Sequence, residues 1–169
     1  MLCICGSGLD EDVCCKSIIE KKRVAVFPEQ LMRSRYYSYA HNNVDYLYET
    51  YADHAKSATL KSEIADWCQQ SRWIKLNIHR ADAVAIDNVN CTVENENTAL
   101  KYPIVNFTAY YIYNDTYCQM TEQSRFIVEN GQWRYYDGDV IEQKACVKLT
   151  RNTSCPCGSG KKYKRCCIG

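Results

Sequence analysis

The sequence has no run of roughly 18 apolar residues, the length that a membrane-spanning helix requires. Its first fifteen residues also lack the basic start and the long apolar stretch of a secretory leader. With neither feature, we expect a cytoplasmic protein whose cysteines stay reduced. The formal net charge of +1 argues against a general electrostatic attraction to nucleic acids or membranes.

Familiar catalytic signatures are also absent from the sequence. It has no phosphate-binding glycine loop, no Ser-His-Asp arrangement and no His-x-x-x-His pattern. Phenylalanine is scarce, at three residues against fourteen tyrosines, so we expect a core or pocket built from rings whose hydroxyls need partners. These absences favour a protein that is not an enzyme.

Cysteine, by contrast, is abundant, and one cysteine pattern occurs at each end of the chain. Residues 3–15 read CICGSGLDEDVCC and residues 155–167 read CPCGSGKKYKRCC, so both fit C-x-C-x8-C-C with Gly-Ser-Gly after the second cysteine. Four thiolates from one short segment are the ligands of a tetrahedral metal site. The predicted metal ligands are Cys3, Cys5, Cys14 and Cys15 in the first copy, and Cys155, Cys157, Cys166 and Cys167 in the second.

Zinc is the expected ion, at two per chain, because it suits four thiolates and a closed coordination shell. Iron is the alternative, since it also accepts a tetrahedral set of sulfurs. A disulfide framework is the competing explanation, but both copies end in adjacent cysteines, and a disulfide between sequence neighbours strains the backbone. A closed shell leaves no open position, so the two sites are expected to be structural or adhesive.

The eight residues between the second and third cysteines separate the two copies by charge. The first copy carries three acids, Asp10, Glu11 and Asp12. The second carries four bases and is therefore the expected contact for a partner such as RNA, an anionic lipid surface or an acidic protein face. These bases are Lys161, Lys162, Lys164 and Arg165. The simpler alternative is that they only offset the negative charge of the metal site.

The middle of the chain predicts helices first and strands afterwards. Pro28 suits the first position of a helix, and Asn43 suits the cap of the next one. After Trp73 the apolar pattern changes from helical to alternating. The predicted helices cover 28–40, 43–51 and 58–70, and the predicted strands cover 73–80 and the stretch 104–138, with an uncertain polar hairpin at 81–100 around Glu94-Asn95-Glu96-Asn97.

Two hairpin turns fix a register for the later strands. Asn114-Asp115 and Asn130-Gly131 are residue pairs that tolerate positive φ and therefore suit two-residue hairpin loops. The register places an acid, Glu122, on an otherwise apolar face, where it needs a partner or a purpose. The predicted opposite pairs are Tyr111 with Cys118, Ala109 with Met120, Phe107 with Glu122, Val128 with Trp133, and Phe126 with Tyr135.

This order of elements predicts an α+β domain with helices packed on one face of a curved antiparallel sheet. The expected organisation has three parts. A metal knuckle at 1–20 precedes the central domain at 24–148, and a second knuckle occupies 151–169.

The segment CPCGSGKKYKRCC resembles the SEC-C motif, the small zinc knuckle found at the end of the preprotein translocase ATPase SecA. A knuckle at each end resembles the YchJ-like family of bacterial proteins. The middle adds to that resemblance with LMRSRY at 31–36, DYL at 45–47, SRF at 124–126 and NGQWRYYDG at 130–138.

The resemblance implies that the central domain is nuclear-transport-factor-2-like (NTF2-like), a cone of helices closed over a curved sheet. Related cone domains often pair through their sheets, which implies a homodimer. The role of the YchJ-like family is uncharacterised. SEC-C knuckles of translocase ATPases contact a chaperone and the ribosome, so the resemblance implies an adaptor that binds a protein or ribosomal RNA through its basic knuckle.

Two functions therefore remain open, and we favour the adaptor. In the alternative, the cone domain holds a pocket for a small molecule or a reaction, which needs a base and a group that holds negative charge. The candidate pocket residues are Arg33, Arg35, Tyr111 and Glu122. The simpler interpretation of Glu122 is that it pairs with an arginine and anchors a helix to the sheet.

Overall fold

The structure is a computed structural model that describes residues 1–89 and 102–168. Helices come first and strands follow, as the alternation of sequence patterns predicts. The α-helices are α1 (Cys15–Ile19), α2 (Pro28–Ala40), α3 (Val44–Glu49) and α4 (Leu60–Gln70), and the strands are β1 (Ser71–Ala81), β2 (Ile104–Tyr113), β3 (Thr116–Glu129) and β4 (Gln132–Lys148). Short 3₁₀ turns lie at Asp53–Ala55, Ile86–Asn88 and Tyr163–Arg165.

The helix starts follow from capping. Pro28 occupies the first turn of α2, where its missing N–H costs nothing. The side-chain oxygen of Gln30 accepts hydrogen bonds from the backbone N–H groups of Val26 and Phe27, which precede the helix. Asn43 caps α3 as predicted, since its side chain accepts a hydrogen bond from the backbone N–H of Tyr46 at 3.2 Å.

The four strands form one antiparallel sheet in the order β1-β2-β3-β4. Both predicted two-residue turns have positive φ at each position: 47° and 56° at Asn114-Asp115, and 51° and 68° at Asn130-Gly131. The predicted register is confirmed at all five pairs, including Phe107 opposite Glu122 and Phe126 opposite Tyr135. The turns therefore set which side chains share the inner face of the sheet.

One face of the sheet carries the main core. Phe107, Ala109 and Phe126 on this face are buried with Leu31 and Tyr36 of α2. A second small cluster lies on the other face, because neighbouring residues of a strand point to opposite sides. It consists of Ile112, Leu149, Cys155 and Tyr163.

The predicted α+β class, with helices over an antiparallel sheet, is confirmed. β4 continues to Lys148, beyond the predicted end of the strand region at 138, and its residues from Asp139 onward are exposed. β4 is an edge strand, and an edge strand is available for pairing with a second sheet. The homodimer stays a prediction, and a measurement of molar mass in solution would check it.

Among the described helices, none has both the length and the apolar composition needed to cross a bilayer. The predicted hairpin around Glu94-Asn97 lies outside the described residues.

Candidate metal centres

The N-terminal knuckle, residues 1–20, folds its first two cysteines around a tight glycine turn. The backbone N–H of Cys3 donates to the carbonyl of Leu9 at 2.8 Å, and that of Gly6 donates to the carbonyl of Cys3 at 3.2 Å. Gly6 and Gly8 have φ of 76° and 78°, a conformation that costs glycine little and other residues more. These bonds and torsion angles fold residues 3–9 into a tight turn.

The C-terminal knuckle, residues 151–168, repeats this backbone. Cys155 N–H donates to the carbonyl of Lys161 at 2.8 Å, and Gly158 N–H donates to the carbonyl of Cys155 at 3.3 Å. Its glycines, Gly158 and Gly160, also have positive φ, at 80° and 72°. The repeated Gly-Ser-Gly segment therefore specifies the same turn twice.

Each set of four sulfurs lies within 4.8 Å of one another. In the N-terminal set, Cys14 Sγ lies 3.6 Å from Cys5 Sγ and 3.8 Å from Cys15 Sγ. In the C-terminal set, the distances from Cys166 Sγ are 3.4 Å to Cys157 Sγ and 3.9 Å to Cys167 Sγ. Zinc–sulfur bonds of about 2.3 Å in a tetrahedron place sulfurs about 3.8 Å apart, whereas a disulfide would place them at about 2.05 Å. Both clusters therefore fit a metal ion, and these distances exclude disulfides at the measured pairs.

A serine supports the third cysteine of each set. Ser7 Oγ lies 3.2 Å from Cys14 Sγ, and Ser159 Oγ lies 3.2 Å from Cys166 Sγ. The same serine hydroxyl also accepts a hydrogen bond from a backbone N–H two residues later. The serine therefore ties the sulfur to the glycine turn in both copies.

The pKa of the second cysteine is lowered in both sets. Hydrogen bonding from Cys15 lowers the pKa of Cys5 to about 4. Hydrogen bonding from Ser159 lowers the pKa of Cys157 to about 6. Because the thiolate is the form that binds metal, each cluster offers one ligand that is already deprotonated near neutral pH.

Burial separates the two clusters. All four N-terminal cysteines are at most 5% exposed and belong to the main core. In the C-terminal set Cys155 is buried, Cys157 is exposed, and Cys166 and Cys167 are half-buried. The N-terminal site is thus part of the core of the central domain, and the C-terminal site is attached to its surface.

Two arginines fix the backbone around the N-terminal sulfurs. Arg33 Nη1 donates to the carbonyl of Cys5 at 2.6 Å, and Arg23 Nη2 donates to the carbonyl of Cys14 at 3.0 Å. At the other end of the chain, Arg72 Nη1 donates to the carbonyl of Cys167 at 3.4 Å from an exposed position. These arginine contacts were not predicted, because residue spacing gives no signal for a bond between distant parts of the chain.

The three acids of the N-terminal knuckle form ion pairs inside the knuckle, with two positive groups between them. Asp10 forms an ion pair with the amino group of Met1. Lys16 Nζ lies 2.7 Å from Glu11 and 3.1 Å from Asp12. The hydrogen bond from Lys16 is the main reason why the pKa of Glu11 is lowered.

The bases of the C-terminal knuckle lie in a different environment. Lys161, Lys162 and Arg165 are exposed and Lys164 is half-buried. Within residues 1–89 and 102–168, none of the four forms a salt bridge. Their charge is presented to solvent.

Both knuckles dock on the central domain through a tyrosine–carboxylate hydrogen bond. Tyr37 of α2 donates to Glu11 at 3.0 Å, and Tyr163 donates to Asp115 of the β2–β3 turn at 2.9 Å. A groove of about 800 Å³ runs between the knuckles, with Ile4 on one side and Ile168 on the other. Among the described residues, no hydrogen bond or ion pair joins the two knuckles, so their opposite charges do not bring them together.

The four residues predicted for a central pocket do not share one site. Arg35 and Glu122 line a cavity of about 180 Å³ between α2 and the sheet. Arg33 does not line this cavity, which corrects the prediction. The side chains of residues two apart on an α-helix point about 200° apart around the helix axis, so Arg33 reaches the N-terminal knuckle instead. Tyr111 stands beside the cavity, with its hydroxyl accepting a hydrogen bond from Gln143 at 3.0 Å.

Glu122 also differs from its simpler interpretation. It accepts hydrogen bonds from Ser124 at 2.6 Å and from Tyr135 at 3.0 Å, and it forms no salt bridge with an arginine in the described part of the chain. Gly138 makes room for it, since a Cβ at that position would collide with the carboxylate of Glu122 and with the hydroxyl of Tyr135. The hairpin register predicts that Glu122 lies on the inner face. It does not predict the contacts of Glu122 with Tyr135 and Gly138, because these residues belong to the neighbouring strand β4.

Comparison with known proteins agrees with this architecture. Residues 27–138 match the family model of the YchJ middle NTF2-like domain, and residues 151–168 match the SEC-C motif. A UPF0225 protein of Enterobacter sp. (strain 638) and the UPF0225 protein YchJ of Shigella dysenteriae serotype 1 are each 34% identical to this chain over 166 residues, covering 98% of it and 97% of the relative.

Two solved structures resemble the chain. A SEC-C motif containing protein from Rhodopseudomonas palustris, solved in solution, has a TM-score of 0.66 at 25% identity and covers 84% of this chain and 100% of its own. The crystal structure of a SEC-C motif containing protein from Psychrobacter arcticus has a TM-score of 0.54 at 21% identity, covers 99% of this chain and 94% of its own, and shows the likeness of fold.

Proposed function

The chain belongs to the YchJ family, which has an NTF2-like middle domain and a SEC-C motif, and on this premise we propose that it is a metal-binding adaptor. Each knuckle holds one zinc ion through its four cysteines. The basic C-terminal knuckle binds an anionic macromolecule, and the central domain at 24–148 separates it from the N-terminal knuckle.

The observation that carries this proposal is the difference in charge pairing between the knuckles. The three acids of the N-terminal copy all form ion pairs with Met1 or Lys16 inside the knuckle. The bases of the C-terminal copy are on the surface and form no salt bridge within the described residues. Exposed bases without a salt bridge remain available to an anionic partner in solution, which favours a binding role over one that only offsets the metal site.

The closed four-sulfur shell supports a structural metal. Zinc with four thiolates carries a nominal charge of −2, and it leaves no position for a substrate. A metal held this way rigidifies the loop that carries the bases, which lowers the entropy lost when a partner binds. Zinc is the proposed ion because it has no redox chemistry that would change its coordination by the four thiolates. We also propose a cytoplasmic location, which would keep the cysteines reduced before they bind metal.

Metal content is the first test. Inductively coupled plasma mass spectrometry on freshly purified, reduced protein should find two zinc ions per chain. Iron in place of zinc would change the ion while leaving the sites intact. A content near zero would contradict the metal proposal itself.

Partner binding is the second test. A variant with Lys161, Lys162, Lys164 and Arg165 changed to Gln should lose at least tenfold in affinity for captured partners, while keeping both metals. The matched control neutralises four other lysines, Lys56, Lys61, Lys75 and Lys144, and should bind like the wild type. Equal binding by wild type and the knuckle variant would rule out the adaptor role.

Salt dependence identifies the class of partner. If the partner is single-stranded RNA, log K should fall with log salt concentration with a slope of about −0.7 per neutralised phosphate. Removing the four bases would then reduce the slope by up to about 3. An acidic protein partner would show a smaller slope that does not depend on nuclease treatment.

A further inference from the structure

The cavity between α2 and the sheet is chemically distinct from the metal clusters. It has a volume of about 180 Å³ and is lined by one buried cation, one carboxylate and a set of aromatic rings. The rings belong to Tyr36, Tyr39, Tyr51, Trp67, Trp73 and Tyr135, together with Phe107. A plain apolar core at this position would contain neither a buried arginine nor a half-buried carboxylate.

The cation is Arg35, which is only 3% exposed. Its Nη1 donates to the carbonyl of Leu47 at 2.9 Å and to the hydroxyl of Thr50 at 2.7 Å. Among the described residues, its Nε and Nη2 make no hydrogen bond, and no carboxylate forms a salt bridge with it. A buried guanidinium that no carboxylate contacts directly is costly, so Arg35 would be stabilised by an anion bound in the cavity.

The rings of Tyr51 and Tyr135 hold the guanidinium in place, with centroids 4.4 Å and 4.7 Å from its central carbon. These cation–π contacts stabilise the charge but leave hydrogen-bond donors unused. A planar carboxylate is the group that two guanidinium N–H donors match best. The first expected feature of a ligand is therefore a carboxylate.

The aromatic rings that line the cavity, here called the aromatic wall, determine the second expected feature of the ligand. Trp73 lies 5.1 Å from Tyr39 and 6.0 Å from Trp67, measured between ring centroids, and the Trp67–Trp73 pair is edge-on. Such surfaces favour a flat ring over a flexible chain. The volume limits the ligand to one ring, because a cavity of about 150 Å³ is known to hold benzene.

Glu122 sets the third feature. One of its oxygens, Oε1, accepts both protein hydrogen bonds, from Ser124 and Tyr135. The second oxygen makes no hydrogen bond to any described residue and can accept one from a ligand. A negative group beside Glu122 would be repelled, so the ligand should present a hydrogen-bond donor to this oxygen.

We propose that this cavity binds a small aromatic acid: one ring with a carboxylate directed to Arg35 and a hydroxyl or amino group directed to Glu122. Inorganic phosphate could reach Arg35 but would leave the aromatic wall unused. A neutral aromatic compound would fill the wall but leave the cation without a partner. The site is independent of the proposed adaptor role.

The probe is 4-hydroxybenzoate, added to the full chain with both metals bound. Binding is followed by isothermal titration calorimetry and by quenching of Trp67 and Trp73 fluorescence. We expect saturable binding that is at least tenfold tighter than that of benzyl alcohol or phosphate, and several-fold tighter than that of benzoate. No saturable binding of 4-hydroxybenzoate, or equal binding of benzyl alcohol, would overturn the proposal.

Three variants test the assignment of residues. Arg35→Gln should weaken binding by at least tenfold, and Glu122→Gln should reduce the preference for 4-hydroxybenzoate over benzoate. Because Arg35→Gln can also disturb folding, Ala109→Leu provides a second route: it fills the cavity from β2 and should abolish binding in a folded protein. Arg125→Gln, on the outer face of the sheet, is the control and should bind like the wild type. Retained binding in Ala109→Leu would place the ligand elsewhere and contradict the proposal.

Discussion

The two knuckles have the same backbone and opposite surroundings. Both use a glycine turn with positive φ and a serine that supports the third cysteine. The N-terminal sulfurs are buried in the main core, whereas the exposed Cys157 brings the C-terminal set to the surface. The cysteine motif therefore specifies the local backbone conformation of each knuckle. The packing of the knuckle against the domain decides whether its metal site is part of the core or lies on the surface.

The largest expected difference between the two knuckles is in stability, and it is tested by removing the second cysteine of each set. Cys5→Ser should abolish cooperative thermal unfolding of the domain, because structural zinc contributes about 10–16 kcal/mol to folding in small zinc domains, as much as a whole domain's stability. Cys157→Ser should lose one metal and leave the main transition within a few degrees of the wild type. Calorimetry with metal analysis measures both.

The control for this pair is Cys146→Ser, an exposed cysteine outside both clusters. It should keep two metals and an unchanged transition. Equal loss of stability in Cys5→Ser and Cys157→Ser would mean that burial does not distinguish the sites.

The next effect is kinetic and concerns access to the metals. A chelator in excess should remove metal in two phases of equal amplitude, with the C-terminal site at least tenfold faster because a partly exposed sulfur can be attacked without local unfolding. Cys157→Ser should show only the slow phase. A single phase in the wild type would contradict the difference in access.

The smallest effect concerns the arginine that supports each knuckle. Arg33→Ala removes a short hydrogen bond from a half-buried charged donor to the carbonyl of Cys5, together with the ion pair to Glu29, and should cost about 1.5–3 kcal/mol in urea unfolding. Arg72→Ala removes a long, exposed bond to Cys167 and should cost less than about 1 kcal/mol. The control is Arg80→Ala, an exposed residue of β1 whose salt bridge is to Asp82, outside both knuckles. A cost for Arg72→Ala as large as that for Arg33→Ala would show that the supports are equivalent.

Much of the fold could be predicted from the sequence because it depends on local rules. Pro28 and Asn43 mark helix starts through capping, and Asn114-Asp115 and Asn130-Gly131 mark turns through their tolerance of positive φ. A turn of fixed length then sets the register of every residue in its hairpin. For that reason the turn positions alone predict that Glu122 lies on the inner face of the sheet.

The candidate sites were less predictable where they depend on distant residues. The prediction grouped Arg33 with Arg35, although the two face different sides of α2 and serve different sites. The partners of Glu122 come from two strands, and the space around it depends on Gly138. No local pattern reports such contacts, because they form only when the elements pack.

The sequence by itself determined the two sulfur clusters, their shared turn and their opposite charge. Ligand spacing and glycine conformation act within about fifteen residues, so a short segment contains all that they need. Only the tertiary structure decided which cluster is buried, which charges form ion pairs, and that a buried arginine faces an aromatic cavity. Burial and pairing are properties of surfaces brought together by folding, and their energies depend on the solvent that packing removes.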